Sequence, residues 1–162
     1  MTNLTLKEIT SDEIVARSAA AGEPAWLAER RRDAWEHFLK TIPPEWRRTN
    51  LSGLDPEVLV PASAPQGTAI QWDAALAATG VVFTTMAAAL RTHEELIKAK
   101  MDTAVLPLEH KFSALRAALW QDGAFLYVPK GVAIELPLRV CYTLADANQA
   151  IFPRTLVILG EN

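Results

Sequence analysis

The sequence predicts an α+β fold in which a mainly helical first part is followed by a series of short strands. Apolar residues recur at helical spacing over residues 24–41 and again over 108–121. After Gly123 the pattern changes to β-prone runs separated by Pro, Gly and polar residues. This change of period predicts a helical domain at 1–122 and a strand-rich region at 123–162.

The predicted helices carry start and stop signals. Thr10 and Glu13 have capping-box spacing, which predicts a helix from this point to residue 20. Pro24 suits the first turn of the second helix, and Gly123 is a stop signal for the last one. After the first helix, further helices are expected at 24–41, 85–91, 93–97 and 108–121.

The strand predictions rest on short apolar runs that are bounded by turn residues. Such runs predict strands at 58–60, 69–72, 125–128, 132–136, 138–144 and 155–159. The small and polar residues of 62–67 predict an exposed loop. Pro129-Lys130-Gly131 is expected to form the corner between two strands.

The composition is that of a globular protein. The 162 residues are 50% hydrophobic, with a mean hydropathy of +0.08 and a formal net charge of −3. This charge does not favour nucleic-acid binding, and Arg30-Arg31-Arg32 is expected to be a solvated helix face. Because we find no signal-peptide pattern and no apolar run near the ~20 residues of a membrane helix, we expect a cytoplasmic, soluble protein without nucleic-acid or membrane partners.

The single cysteine excludes a disulfide within the chain, and its position leaves two alternatives. Cys141 shares one face of a predicted strand with Arg139. A neighbouring cation favours the thiolate, which binds metals and sulfur species. The alternative, which we favour, is an inert structural cysteine.

The other candidates for chemistry lack the spacing that a site requires. The histidines His37, His93 and His110 match no zinc pattern, so we expect three separate helix-surface residues, with an iron site built from distant residues as the alternative. Asp122 and Glu135 are attributed to chance rather than to an acid and base pair. No P-loop, dinucleotide fingerprint or Cys-x-x-Cys is present in the sequence, and we assign no catalytic, cofactor-binding or metal residue.

Tryptophan is frequent for this length. Trp26 and Trp35 are nine residues apart and flank one broad apolar helix face, which predicts core packing. Trp46 lies in a polar, less periodic segment, so a protein-contact hot spot is the alternative there.

A set of sequence blocks occurs in order over residues 23–159. The most specific are Trp120-Gln121-Asp122-Gly123, Tyr127-Val128-Pro129-Lys130-Gly131-Val132 and Leu136-Pro137-Leu138. The others are Glu23-Pro24-Ala25-Trp26-Leu27, Glu45-Trp46-Arg47-Arg48-Thr49, Gly80-Val81-Val82-Phe83 and Phe152-Pro153-Arg154-Thr155-Leu156. Together they resemble the SufB/SufD family of iron–sulfur cluster assembly scaffolds, and the Glu-Pro-x-Trp-Leu and Arg-Thr elements favour its SufD branch.

The resemblance implies both a fold and a function. The implied fold is a helical N-terminal region at 1–122 followed by the first coils of a right-handed parallel β-helix at 123–162. The implied function is that of a non-catalytic scaffold subunit, with SufB and the ATPase SufC as partners. The complete complex would handle the iron–sulfur cluster, with ATP used by SufC. The family's cluster-building and SufC-docking residues have no counterpart in this sequence, so no site residue or bound cofactor is transferred to it.

The end of the sequence adds a further expectation. Four predicted strands that stop at Asn162 suggest an N-terminal fragment with an unpaired apolar edge, prone to aggregation or oligomerisation. One alternative function is a β-solenoid binding or carbohydrate-active module, which would need a cluster of carboxylates on one face. Another is a helical interaction domain that contacts a partner through Trp46.

Overall fold

The five helices follow the predicted order with altered bounds, whereas the strands differ from the prediction in number as well as in bounds. The computed structural model describes residues 4–62, 68–144, 146 and 149–161. The helices are Ser11–Ala20 (α1), Ala25–Lys40 (α2), Met86–Thr92 (α3), Glu94–Lys100 (α4) and Lys111–Leu119 (α5), with short 3-10 turns at Leu6–Glu8, Pro56–Val58 and Ala74–Thr79. The strands are Val60–Pro61 (β1), Thr68–Gln71 (β2), Val82–Thr85 (β3), Gly123–Val128 (β4), Arg139–Tyr142 (β5), Gln149–Ala150 (β6) and Arg154–Leu159 (β7).

The helix starts are built from local hydrogen bonds. The Thr10 hydroxyl accepts a hydrogen bond from the backbone N–H of Glu13, which confirms the predicted cap of α1. The other half of the predicted capping box is replaced, because the Glu13 carboxylate accepts from Arg17 one turn later. Thr85 caps α3 in the same way, since its hydroxyl accepts from the N–H of Ala88.

The chain divides into two units, and the first is organised around α2. This unit contains the described residues of 1–62, 102–120 and 146–152. Helix α2 contacts both α1 and α5, and its Trp35 and Phe38 rings are fully buried with their centroids 5.0 Å apart. Every residue of α5 except Phe112 and Arg116 is buried, so this short helix is the least solvated element of the unit.

Arg31 corrects the prediction that the arginine cluster of α2 is a solvated face. Its side chain is only 6% exposed, and both oxygens of the Glu23 carboxylate accept hydrogen bonds from it, at 2.7 and 2.6 Å. The carbonyl of Ala118 on α5 accepts a third hydrogen bond, and the guanidinium lies 4.2 Å from the Trp120 ring centroid. Arg31 is therefore a buried member of an otherwise charged surface cluster. Its burial is tolerated because each of its nitrogen atoms has a hydrogen-bond partner.

The second unit is built on a three-stranded sheet. It contains the described residues of 63–101, 121–145 and 153–162. Strand β4 lies between β3, which is antiparallel to it, and β7, which is parallel to it. Phe125 of β4 is fully buried and its ring lies 5.5 Å from that of His93, between α3 and α4. A separate antiparallel pair, β2 with β5, belongs to the same unit.

The prediction of the first coils of a right-handed parallel β-helix is wrong. The described strands form sheets of two or three strands, and only the β4–β7 and β1–β6 pairs are parallel. Two of the strands after residue 122 find antiparallel partners in the earlier part of the chain, β4 with β3 and β5 with β2. A solenoid coil instead requires successive strands to stack on one another. The correct description is a mixed α+β fold with small sheets, and the domain boundary after residue 122 stays a prediction.

Gly123 does not act as the predicted helix stop. Helix α5 ends at Leu119, and Gly123 is the first residue of β4, paired with Arg154 of β7. A Cβ atom at this position would overlap the backbone carbonyl of Arg154, so the strands can approach only because the residue is glycine. The predicted strand at 132–136 is also absent, since none of these residues belongs to a strand.

Candidate functional site

The three histidines occupy separate structural positions. His37 lies on α2, and His93 joins α3 to α4 with its Nδ1 2.8 Å from the hydroxyl of Thr92. In the part of the chain that the structure describes, no group of three or more His, Cys, Asp or Glu side chains is arranged to hold a metal ion. The alternative of an iron site from distant residues therefore has no support among these residues.

His110 has a defined structural role that sequence reasoning missed. Its Nδ1 accepts a hydrogen bond of 3.1 Å from the backbone N–H of Ser113, and its own N–H donates to the Ser113 hydroxyl at 3.0 Å. This reciprocal pair caps the N-terminus of α5. The arrangement requires a neutral imidazole, because a protonated ring has no acceptor nitrogen. The His-x-x-Ser spacing was the available signal, but histidine is not among the usual cap residues.

Cys141 lies on β5 opposite Ala69 of β2 and is exposed as a free thiol. Arg139 is exposed on the same face, as strand alternation predicted. Within the described residues, no hydrogen bond or ion pair joins either side chain to another group. The structure thus places the cysteine at the surface, and no group of three or more potential metal ligands includes it among the residues that are described.

Asp122 and Glu135 do not form an acid and base pair. The carboxylate of Asp122 accepts a hydrogen bond of 3.1 Å from the N–H of Ala87 in the first turn of α3. The backbone carbonyl of Asp122 accepts another from the N–H of Arg154, at the start of β7. Glu135 is exposed in the segment between β4 and β5. The Asp-Gly dipeptide therefore joins α3, β4 and β7, which accounts for its place in the most specific sequence block.

The Pro-Lys-Gly block forms a turn after β4, although the strand that was predicted to follow it is absent. The N–H of Val132 donates to the Pro129 carbonyl at 3.3 Å, and Gly131 has a φ of +73° that favours glycine. The N–H of Gly131 donates to the Glu161 carbonyl, which ties this turn to the residues that follow β7. The block fixes backbone geometry and presents no acid, base or nucleophile apart from the exposed Lys130.

One open groove of about 350 Å³ lies beside the β2–β5 pair. Its lining residues are Gln71, Trp72, Asp73, Leu136, Pro137, Leu138 and Arg139. The Asp73 carboxylate already accepts a hydrogen bond from the N–H of Ala75, and the remaining walls are mostly apolar. The groove can hold an apolar side chain; its lining includes one carboxylate, Asp73, but no hydroxyl, thiol or amine nucleophile.

Each tryptophan singled out in the sequence has a defined place. Trp35 is in the core, as predicted, whereas Trp26 is partly exposed beside the Arg30 guanidinium, 4.8 Å from its ring centroid. Trp46 is 47% exposed and packs against Phe112 of α5.

No helix of the described residues has the length and apolar character needed to cross a bilayer.

Comparison with known proteins agrees with the sequence blocks. Residues 68–140 match the SufBD protein N-terminal region. The iron–sulfur cluster assembly protein SufB of Bacillus subtilis (strain 168) is 29% identical over 137 residues, which cover 83% of this chain and 30% of that protein. A SufBD family protein of Staphylococcus saprophyticus is 40% identical over 82 residues, which cover 51% of this chain and 18% of the relative.

A third relative extends over more of the chain. The SufBD family protein of Mycobacterium bovis is 29% identical over 186 aligned residues, covering 89% of this chain and 22% of its own length. The chain thus spans less than a third of the length of these relatives. The matches include the Asp-Gly and Pro-Lys-Gly blocks, whose backbone roles are described above. The chain is therefore similar to the N-terminal region of SufB/SufD family proteins.

Proposed function

We propose that this chain acts in iron–sulfur cluster assembly as a non-catalytic scaffold subunit. The observation that carries the proposal is the match of residues 68–140 to the SufBD N-terminal region, since relatives that share the family are named as cluster assembly proteins. The roles of the motif residues support it. Asp122, Gly123 and Gly131 are engaged with backbone groups, as expected for residues that shape a protein surface rather than convert a substrate.

Within this role, we propose a SufD-type subunit that associates with SufB and with the ATPase SufC. The support is the resemblance of residues 23–27 and of the Arg47–Thr49 element to the SufD branch. The relationship to SufB of Bacillus subtilis supports the family but does not separate its branches. In the proposed complex the iron–sulfur cluster is cargo and ATP is consumed by SufC, in the cytoplasm.

Co-purification tests the complex. The protein encoded by the complete gene is co-expressed with SufB and affinity-tagged SufC, and the eluate is analysed by size-exclusion chromatography and native mass spectrometry. We expect one species that contains all three proteins. An unrelated tagged ATPase is the control for non-specific capture. Elution of SufC without the other two would contradict the proposed partnership.

A second co-expression separates the two branches of the family. A SufD-type subunit needs SufB as its partner, whereas a SufB-type subunit needs SufD. The complete gene product is therefore co-expressed with tagged SufC and with either SufB or SufD. Assembly only in the presence of SufD would contradict the SufD assignment while leaving the role in cluster assembly intact.

The carbohydrate-active alternative depended on a β-helix, and with that fold corrected no observation favours it.

A further inference from the structure

A tight turn in the first unit presents two arginines to solvent. The N–H of Thr49 donates to the Trp46 carbonyl at 3.1 Å, and the same two residues form an isolated antiparallel bridge. Arg47 and Arg48 are consequently the two central residues of a β-turn. Both are exposed, and neither has a hydrogen bond or ion pair with any described residue. We call residues 46–49 the arginine turn.

The arginine turn is held against α5 by an aromatic contact. The Trp46 ring lies 5.8 Å from that of Phe112, and its edge meets the His110 ring at 6.3 Å. His110 is itself fixed by its hydrogen bonds with Ser113. The indole nevertheless remains 47% exposed, so one part of it anchors the turn and the rest faces solvent. The two guanidinium groups therefore belong to a turn that is anchored to α5 by its tryptophan.

The segments next to the turn and to its anchor carry exposed apolar side chains, together with the exposed carboxylate of Glu45. Ile42, between α2 and the turn, is 79% exposed, and Leu108, two residues before His110, is also exposed. Tryptophan and arginine are the residue types that most often dominate binding energy at protein interfaces. Arginine also binds carboxylates in a bidentate manner, which adds specificity to the charge attraction.

We propose that the arginine turn is a docking site for an acidic, amphipathic segment of a partner protein. Its carboxylates would pair with Arg47 and Arg48, and its apolar side chains would cover Trp46 and Ile42. The positive charge of the turn, carried by Arg47 and Arg48, favours an acidic occupant over a basic one. Two arginines are also too few for a nucleic acid, whose affinity depends on neutralising many phosphates. This inference is independent of the proposed assembly function.

The test uses the whole chain and three defined probes. The first is a synthetic 16-residue amphipathic helix with leucine on one face and glutamate on the other. The second is the same peptide with lysine in place of glutamate, and the third is a 16-nucleotide oligothymidylate. Binding is followed by NMR shifts of the Trp46 indole N–H and the backbone amides of 42–54. We expect the acidic peptide alone to shift these signals, and to do so less at high salt.

Charge reversal supplies the matched control. Arg47→Glu with Arg48→Glu should weaken acidic-peptide binding at least tenfold. Arg91→Glu with Arg139→Glu should leave it within twofold, because these two arginines lie outside the turn, are also exposed and lack ion-pair partners among the described residues. Thermal unfolding of both double variants checks that the fold is retained.

Four results would overturn the proposal. Equal weakening by both double variants would show that net charge alone attracts the peptide. Tighter binding of the oligothymidylate at the same residues would assign the surface to nucleic acid. Shifts of 42–54 that depend on protein concentration without any probe would assign it to self-association. Absence of binding by the acidic peptide would leave the turn without its proposed occupant.

Discussion

Replacing Arg31 with alanine should destabilise the protein more than any other single change to the charged face of α2. The substitution leaves the Glu23 carboxylate, 9% exposed, without its cation; the Ser18 hydroxyl, at 2.6 Å, still donates a hydrogen bond to it. It also removes the hydrogen bond to the Ala118 carbonyl and the cation contact with Trp120. Removing one partner of a buried ion pair typically costs about 3–5 kcal/mol, because the other charge stays buried and unpaired.

The measurement is urea and thermal unfolding of the whole chain, followed by far-ultraviolet circular dichroism. For a chain of this size, a loss of that order lowers the melting temperature by about 6–20 °C. The matched control is Arg32→Ala, since Arg32 is 48% exposed and its nearest carboxylate oxygen, on Asp33, is 3.9 Å away. This control should change stability by less than about 0.5 kcal/mol. Equal effects of the two substitutions would refute the assignment of Arg31 to a buried, paired site.

Three further predictions follow from single contacts. His110→Ala should lower the free energy of unfolding in urea by about 1 kcal/mol. His110→Asn, which retains a side-chain acceptor, should lower it much less, and equal losses in the two variants would exclude the cap. Gly123→Ala should cost about 1–3 kcal/mol, because its Cβ meets a β7 carbonyl, and Gly53→Ala, with open space around it, should cost less than about 1 kcal/mol. The pKa of Glu8 should lie below its ordinary value of 4.5, because the Thr5 hydroxyl and backbone N–H donate to its carboxylate. The contribution of the Glu8 carboxylate to folding stability is thus present above the ordinary pKa and is lost as the pH falls through the lowered one. In Thr5→Val, NMR titration should find the pKa of Glu8 closer to 4.5, and an unchanged pKa would contradict the assignment.

The helical elements could be predicted because their signals are local. Thr10 and Thr85 cap helices through hydrogen bonds to residues three positions later, and such spacing is visible in the sequence. The apolar spacing of α2 identified Trp35 as a core residue for the same reason. The similarity to the SufB/SufD family was equally accessible, since ordered blocks of residues in the sequence carry it.

The strand partners could not be predicted, because pairing depends on residues that are far apart in the chain. Phe125 pairs with Leu156 on one side, and its neighbour Leu126 pairs with Phe83 on the other. No local pattern distinguishes these partners from those of a solenoid coil. Arg31 was missed for the same reason, since the groups that make its burial favourable include Ala118 and Trp120, nearly ninety positions later.

Depletion of the gene product in cells tests the central claim, a role in iron–sulfur cluster assembly, most directly. The activity of an enzyme that requires a [4Fe–4S] cluster is compared with that of a flavin enzyme that lacks one, before and after depletion. We predict that the first activity falls while the second is unchanged, and that re-expression of the complete gene restores it. Equal activity of the cluster enzyme with and without the gene product, where no second assembly system operates, would contradict the proposed function.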